Sequence, residues 1–544
     1  MSTSSRNAVP PQKTAPWLPA GFVLLAGLAA FAAVASNAVM NARLEFEEVG
    51  YLLKAWWYIT GALQPFSAAD ASPTLPIFPF GLGALQTQIG LGVTAARISM
   101  AVLGLLNGIL LFFLCRKLTA NSLASAVAVL LFIGTPATSY SFSTVSPVAL
   151  ISLIHLVAFW LLVLSIGRPK VWRSIAMGAV LAVLILLNLD MAVPALMLFV
   201  LFMLAVGSAR WIHGAIVIVV IAAILGAGVY LLPEQFTSYL LNAPLIALVN
   251  DLAGLGAPAQ AAAASMPTYN VVRIVEDAFE GVLLPYGGSV MLCVLLLALT
   301  ARGPRVLWTI PIYLLLALAA LVVFRAPGCD VCVATAPSQI TSIAALGAAM
   351  TLAFLARGMR QKNLASAPLV IGCVFFALAL NTFSPILAER DALHSFPAEE
   401  LKQPRPAAEQ EDIATLMRFI GQNVPSGSEP ILLMHKLPAL PYATHMAGRR
   451  FSAVSINPLA SLRAAPGTSS GTRREAALAA IEQNGGWSGE SLRRWIERDY
   501  ELIIWQEGAL AIDPGTAALL STSFEAAATT EYRGIKLTLY KRKT

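Results

Sequence analysis

Three carboxylates stand where the first long apolar run of the chain ends, at Glu45, Glu47 and Glu48. A charged side chain at the centre of a membrane helix costs roughly 2.5–3.5 kcal/mol on insertion scales, so we expect these acids at the membrane interface. If a helix begins near Glu47, then Glu47, Tyr51 and Lys54 share one of its faces. An acid presented on a short surface helix is available for proton transfer. The alternative is an ordinary acidic loop next to an aromatic belt.

A further acid, Asp190, lies between two short apolar runs. Acids at the edge of membrane segments are functional candidates by default, because hydrocarbon disfavours their charge. The alternative is that Asp190 caps the N-terminus of a helix.

Composition indicates a membrane protein. Charged residues make up 12% of the chain and apolar residues 57%, with a mean hydropathy of +0.73, whereas soluble domains carry roughly 25% charged residues. The net charge of +7 comes from cations placed between apolar runs, as the positive-inside rule predicts, and not from a nucleic-acid patch. We therefore expect membrane lipid and no nucleic acid among the partners.

The predicted fold class is a mainly α, polytopic membrane protein of about 11 transmembrane helices with outward surface helices, followed by a small soluble α/β domain. Residues 1–16 form a cytoplasmic tail, 17–386 the membrane domain, 387–412 a linker, and 413–544 an extracytoplasmic α/β domain. The predicted spans are Trp17–Met40, Ala96–Cys115, Leu123–Thr135, Pro147–Ile166, Ile175–Leu189, Met191–Val206, Ile212–Leu232, Leu283–Thr300, Val306–Phe324, Ile340–Leu355 and Pro368–Phe383.

The positive charges of the short loops predict the orientation of the chain in the membrane. If the spans alternate, the Lys and Arg residues of the loops collect on one side, which is then cytoplasmic. The acidic stretch and the C-terminal domain meet on the opposite side, at the outer face of the cytoplasmic membrane. The cytoplasmic cations are Arg6, Lys13, Arg116, Lys117, Arg168, Lys170, Arg173, Arg210, Arg302, Arg305, Arg357, Arg360 and Lys362.

The sequence of the C-terminal domain predicts an α/β module that is large enough to form its own hydrophobic core. Apolar runs predict its strands, and amphipathic patterns predict its helices. The strands are Ile431–Met434, Leu502–Trp505 and Ile535–Tyr540, and the helices are Ile413–Ile420, Glu475–Glu482 and Glu490–Arg498.

Cysteine and histidine spacing favours no metal site. Cys329 and Cys332 lie in an outward loop, where an oxidising compartment favours a disulfide, and a zinc site would need two more ligands that the sequence does not space suitably. The five histidines form no ligand cluster.

The order of these features resembles the GT-C class of integral membrane glycosyltransferases, in particular the aminoarabinose transferases and protein O-mannosyltransferases. The segment Phe46–Leu52 resembles that family's aromatic-Asp-Glu-x-x-Tyr-Leu pattern, with Glu47 in place of the Asp. Leu75–Phe80 resembles the apolar segment that precedes the second span in that family. Arg97 resembles the Arg with which that span begins.

The resemblance implies inverting transfer of a sugar from a polyprenyl-phosphate donor to a hydroxyl of a lipid, glycan or protein acceptor. Glu47 would be the general base, and Glu48 would bind the acceptor or hold the loop. Preorganised cations would stabilise the departing lipid phosphate. The candidates are Arg273 and Arg325, with Lys54 and Arg97 behind them, and each of these has the alternative of anchoring or capping a helix end.

Two positions depart from the family pattern. Ser146 stands before Pro147 where related transferases carry an acid, and Ser72 stands before Pro73 where the aminoarabinose branch carries a Lys. Metal dependence is therefore open: no cofactor is assigned, and a divalent cation remains an alternative. Two other functions also remain open, a transporter or flippase of lipid-linked sugars and a catalytically inactive scaffold.

Overall fold

The computed structural model describes two large parts of the chain and a few residues between them. The described residues are 17–41, 44, 46–61, 77–89, 92–133, 139, 142–166, 169–187, 192–207, 210–231, 312–313, 342, 345–347, 349–350, 353, 406–434, 437, 439–455, 493, 496–497, 500–506 and 514–543.

In the first part, residues 17–231, every regular element that the structure describes is an α-helix. Its helices coincide with the first seven predicted spans and with the two surface segments predicted between the first and second spans. They are α1 (Trp17–Asn41), α2 (Phe46–Thr60), α3 (Ile77–Ile89), α4 (Val93–Thr119), α5 (Ser122–Ile133), α6 (Val148–Ser165), α7 (Val171–Leu187), α8 (Ala192–Val206) and α9 (Arg210–Leu231).

Among the described residues, four helical segments are long and apolar enough to cross a membrane: Pro19–Val39, Val93–Thr119, Val148–Ser165 and Arg210–Gly228. The helices α5, α7 and α8 are apolar but shorter. The chain is thus an integral membrane protein. The last four predicted spans lie outside the described residues except for short pieces, so the count of eleven stays a prediction.

A tight corner between α4 and α5 makes these helices antiparallel neighbours. Ala120 adopts φ 52° and its N–H donates to the Arg116 carbonyl at 2.9 Å, which ends α4. The Asn121 carboxamide oxygen then accepts from the N–H groups of Leu123 and Ala124, which caps α5. The polar residues of this loop therefore determine where one helix stops and the next begins.

The two surface helices α2 and α3 pack closely against each other. Tyr51 meets Phe78 edge to face at a centroid distance of 5.3 Å, and Tyr58 stacks on Phe80 at 5.2 Å. At Gly83 the backbones approach so closely that a Cβ atom would lie 2.4 Å from the Ala55 carbonyl oxygen. The two helices therefore form one unit.

The C-terminal module contains a small mixed sheet with strand order β2-β1-β3-β5-β4. Strand β1 runs parallel to β2 and β3, whereas β5 is antiparallel to β3 and β4. Its elements are α10 (Pro406–Asn423), β1 (Ile431–Met434), α11 (Ala439–Met446), β2 (Ser452–Ser455), β3 (Leu502–Gln506), α12 (Pro514–Ser523), β4 (Phe524–Tyr532) and β5 (Ile535–Arg542).

Both faces of the central strands are covered. Leu432 and Ile504 pack with Leu416 and Ile420 of α10, whereas the adjacent Ile431 and Ile503 belong to a second core cluster on the other face. Consecutive strand residues point to opposite faces of the sheet. A strand that is buried on both faces therefore needs an uninterrupted run of apolar residues.

The three predicted strands are confirmed, with β3 and β5 slightly longer than expected. Helix α10 contains the predicted helix but begins at Pro406, inside the segment predicted as a linker. The elements α11, β2, α12 and β4 were not predicted. The predicted helices Glu475–Glu482 and Glu490–Arg498 lie outside the described residues apart from isolated positions.

Candidate active site

The Glu48 side chain is buried in an ion pair with Arg97. Arg97 Nε donates to Glu48 Oε1 at 2.9 Å and Nη2 donates to Oε2 at 2.5 Å. The Glu48 side chain is only 1% exposed and the Arg97 side chain 4%. The planar groups face each other through two parallel hydrogen bonds, the arrangement that makes Arg–carboxylate pairs strong and directional. This pair fixes the rotation of α2 relative to α4.

Two further segments join the same pair. The backbone N–H of Val145 donates to Glu48 Oε1 at 2.8 Å, and Arg97 Nη1 lies 3.4 Å from the carbonyl oxygen of Ala38 and 3.5 Å from that of Val39. The end of α1, the turn before α6, α2 and α4 are therefore held together around one carboxylate. We call Glu48, Arg97 and the Val145 amide the Glu48 clamp.

The sequence of α2 explains why Glu48 is the acid that turns inward. Glu48, Leu52 and Ala55 recur at i, i+4 and i+7, and all three are buried. Glu47 lies in the first turn of the same helix, and its backbone position is roughly 100° around the axis from that of Glu48. The clamp therefore fixes where the backbone of Glu47 stands.

Lys54 lies on α2 beside the aromatic contacts with α3. Its Nζ is 5.3 Å from the centroid of the Tyr58 ring, within the range of a cation–π interaction. The side chain is partly buried, and Tyr58 itself stacks on Phe80. The ammonium group is thus held near the surface helices, on a residue that precedes Trp56 of α2 by two positions and Trp57 by three.

The C-terminal module rests on the Trp pair of α2. Trp57 packs against Phe451 at a centroid distance of 5.7 Å, and the His445 ring lies edge-on to Trp56 and Trp57 at 6.4 and 6.3 Å. Tyr442 completes the contact, because it is buried against the helical domain and hydrogen-bonded to the backbone of Val93 at the start of α4. Helix α11 therefore docks beside the clamp.

Burial in this interface shifts two ionisation equilibria. It lowers the pKa of His445 below the ordinary value of 6.5, because the imidazolium loses water. Burial also raises the pKa of Tyr442 above 10, an effect that the hydrogen bond to Val93 partly offsets. Both shifts favour the neutral forms, which suits an aromatic interface.

The predicted site residues divide into two groups. The structure brings Glu48 and Arg97 together. It also places Lys54 on the same surface helix as Glu47, and for Glu47 only the backbone is described. Asp190, Arg273 and Arg325 lie outside the described residues, as do Cys329, Cys332 and Ser72, so their roles stay predictions.

The turn before α6 is a contribution that sequence reasoning missed. Ser146 replaces an acid expected from the family pattern, but it is the neighbouring Val145 that reaches the acidic pair, through its backbone N–H. Any residue except Pro can supply a backbone N–H, so the residue type at position 145 does not reveal this contact. The only sign of the turn in the sequence is the adjoining Pro147. Within the residues described, no group of three potential metal-ligating side chains is found.

The fold matches solved membrane proteins over nearly its whole length. The crystal structure of ArnT from Cupriavidus metallidurans bound to undecaprenyl phosphate aligns with a TM-score of 0.56 at 14% sequence identity, covering 96% of this chain and 98% of that one. The apo structure of the same protein aligns with a TM-score of 0.54, also at 14% identity, covering 96% and 97%.

ArnT is an aminoarabinose transferase of the GT-C class, so the resemblance predicted from the sequence is confirmed at the level of the fold. No protein-family model matches the chain, and no curated protein matches it significantly in sequence.

Proposed function

We propose that this chain is a membrane glycosyltransferase that moves a sugar from a polyprenyl-phosphate donor to an acceptor hydroxyl, with inversion, at the outer face of the cytoplasmic membrane. The likeness to ArnT along the full chain supports this class of enzyme, and the undecaprenyl phosphate bound in one ArnT structure supports a polyprenyl-phosphate lipid as partner.

The Glu48 clamp is the observation that carries the proposal. Burying two charges costs several kcal/mol per ion, and well-packed apolar residues of similar volume usually stabilise a fold as well or better. A buried pair that joins four segments is therefore better explained by a need to fix geometry than by stability alone. What it fixes is the first turn of α2, which carries Glu47.

In the proposed reaction Glu47 takes the proton of the acceptor hydroxyl as its oxygen attacks the anomeric carbon. The new C–O bond forms on the face opposite the donor phosphate, the old C–O bond breaks, and polyprenyl phosphate leaves with the electron pair. A general base in this position contributes typically 10²- to 10⁴-fold.

The clamp residues receive a positioning role in this proposal. Both Glu48 oxygens already accept hydrogen bonds from Arg97 and Val145, so holding the loop, one of the two roles expected for Glu48, fits this geometry better than acceptor binding. Arg97 is hydrogen-bonded to Glu48 and to the end of α1. We therefore do not assign it a role in binding the donor phosphate.

Arg273, Arg325 and Lys54 remain the proposed ligands of the leaving phosphate, because a cation near the phosphate stabilises the charge that develops on it. Asp190 stays a supporting acid. The C-terminal module, docked on the Trp pair of α2, would cover the site from outside the membrane.

The experiment is a donor assay with purified full-length protein and polyprenyl phosphates carrying labelled sugars, in the presence of membrane extract as acceptor. The proposal predicts loss of label from the lipid and release of unlabelled polyprenyl phosphate. A transporter would leave the sugar–phosphate bond intact, so movement of label across a vesicle membrane without its loss from the lipid would contradict the enzyme.

A further inference from the structure

A second cluster of cations and aromatic rings lies at the opposite end of the helical domain from the Glu48 clamp. It is formed where α7 and α9 begin, and α4, α5 and α6 cross between that end and the clamp in alternating directions. Its members are Lys170, Arg173 and Arg210 with Trp172 and Trp211, which we call the basic shelf.

Each arginine of the shelf lies over a tryptophan. The guanidinium carbon of Arg210 is 5.3 Å from the ring centroid of Trp211, and that of Arg173 is 5.5 Å from Trp172. Both rings are exposed, Trp211 by 72% and Trp172 by 54%. Exposed Trp on an apolar helix marks the membrane–water interface, so the paired cations stand at headgroup level.

The shelf is held in a fixed shape. Ser174 Oγ and His213 Nδ1 are hydrogen-bonded at 2.7 Å, which ties the first turn of α7 to the first turn of α9. At Gly178 the helices cross so closely that a Cβ would lie 2.8 Å from Val220 Cβ. Arg173 Nη1 also donates to the carbonyl of Leu164 near the end of α6. The cations are therefore presented on a rigid base.

The two segments that carry the shelf are basic. Residues 166–187 and 207–231 contain no Asp or Glu, and Lys170 and Arg210 are exposed. Rigid basic sites between membrane helices at the cytoplasmic surface are suited to the phosphate of anionic lipids, which a guanidinium binds through two hydrogen bonds.

We infer that the basic shelf binds the phosphate headgroup of an anionic phospholipid, in the leaflet opposite the C-terminal module. The acyl chains lie along the exposed apolar surface that follows each Trp, at Ile175 of α7 and Ile212 of α9. This lipid is distinct from the proposed sugar donor, which reacts at the other face, and the site does not depend on glycosyltransferase activity.

The test uses full-length protein in neutral detergent, titrated with phosphatidylglycerol or with phosphatidylcholine of the same acyl chains, with bound lipids counted by native mass spectrometry. Lys170→Gln/Arg210→Gln removes two exposed cations. Arg116→Gln/Lys117→Gln removes two from the last turn of α4 at the same end of the domain, in a helix whose own sequence contains no Trp. Lys170→Arg/Arg210→Lys keeps the charge and checks the fold.

We expect wild type to bind phosphatidylglycerol in preference to phosphatidylcholine. Each surface cation strengthens anionic-lipid binding roughly fivefold, so Lys170→Gln/Arg210→Gln should weaken it about 30-fold. The α4 variant and the charge-preserving variant should remain close to wild type.

Equal binding of the two lipids would overturn the inference, and so would an equal loss in the α4 variant, which would indicate a diffuse positive surface. Displacement of phosphatidylglycerol by inorganic phosphate at equal concentration would identify a free-anion site instead of a lipid site.

Discussion

The partner of Glu48 is Arg97, a residue far away in sequence, and this pairing changes what each residue is expected to do. Considered separately, the acid was expected to bind the acceptor or hold the loop, and the cation was a candidate ligand of the donor phosphate. Considered together, the three hydrogen bonds that Glu48 accepts from Arg97 and the Val145 amide form a closed unit that positions α2. The periodicity of Glu48 with Leu52 and Ala55 was visible in the sequence, whereas the identity of its partner required the fold.

The first prediction separates stability from positioning in the clamp. Glu48→Gln leaves the buried Arg97 guanidinium without its counter-charge, and breaking one side of such a pair costs about 3–5 kcal/mol. The apolar double variant Glu48→Leu/Arg97→Met should recover most of that stability but not the geometry of α2. Thermal unfolding and sugar transfer, measured on the same detergent samples, check both parts.

Clamp positioning would be contradicted if the double variant recovered transfer together with stability. A matched control is Glu411→Gln, an exposed acid on α10 of the C-terminal module, which should change neither quantity.

At the scale of elements, the sequence predicted best those segments whose own residues decide their structure. Long apolar runs predicted seven of the observed helices, of which four are long enough to cross a membrane. The strand Ile431–Met434 was predicted because a strand covered on both faces is uniformly apolar. Strand β4 was missed because Phe524–Tyr532 is rich in Ala and mostly exposed, a pattern that favours helix. Its pairing with β5 through the turn at Arg533 and Gly534 overrides that preference.

The second prediction concerns the contact of α2 with α3. In Gly83→Ala the new methyl group would lie 2.4 Å from the Ala55 carbonyl oxygen, so the helices must separate, at a cost of about 1–3 kcal/mol. Since α2 carries Glu47, transfer should fall as well. Gly81→Ala, in the same helix with nothing within 4 Å of the added Cβ, is the control and should be neutral or slightly stabilising. Equal behaviour of the two variants would rule out the close approach.

The third prediction is a pH dependence of module docking. The pKa of His445 is lowered in the folded protein, so below pH 6.5 the unfolded chain takes up a proton that the docked His445 resists. Wild type should therefore lose stability as the pH falls from about 6.5 towards 5, relative to His445→Gln. The measurement is the difference in unfolding temperature between the two proteins across that range. A difference that does not vary with pH would contradict the buried environment of His445.

At the scale of the whole molecule, the fold is shared with ArnT although only 14% of the residues are identical. Membrane helices need apolar length more than particular residues, so a fold can persist while its sequence diverges. The order of features was therefore informative where single motifs were not. Sidedness follows from the cations of the loops.

The fourth prediction tests that sidedness. In a background without the native cysteines, Lys170→Cys lies between α6 and α7 and Ser426→Cys lies in the turn after α10, both at exposed positions. A membrane-impermeant thiol reagent added to intact cells should label Ser426→Cys and leave Lys170→Cys unlabelled until the cells are opened. Labelling of both variants in intact cells would contradict the alternating topology.

The most direct test of the central claim is the single-turnover rate of sugar transfer by Glu47→Gln. The amide keeps the size of the side chain but cannot accept the proton, so the rate should fall by roughly 10²-fold or more, while donor binding and unfolding temperature stay near those of wild type. Donor binding is measured on the same samples, with Glu45→Gln as the neighbouring control. A near-normal rate in Glu47→Gln would contradict the role of Glu47 as the general base.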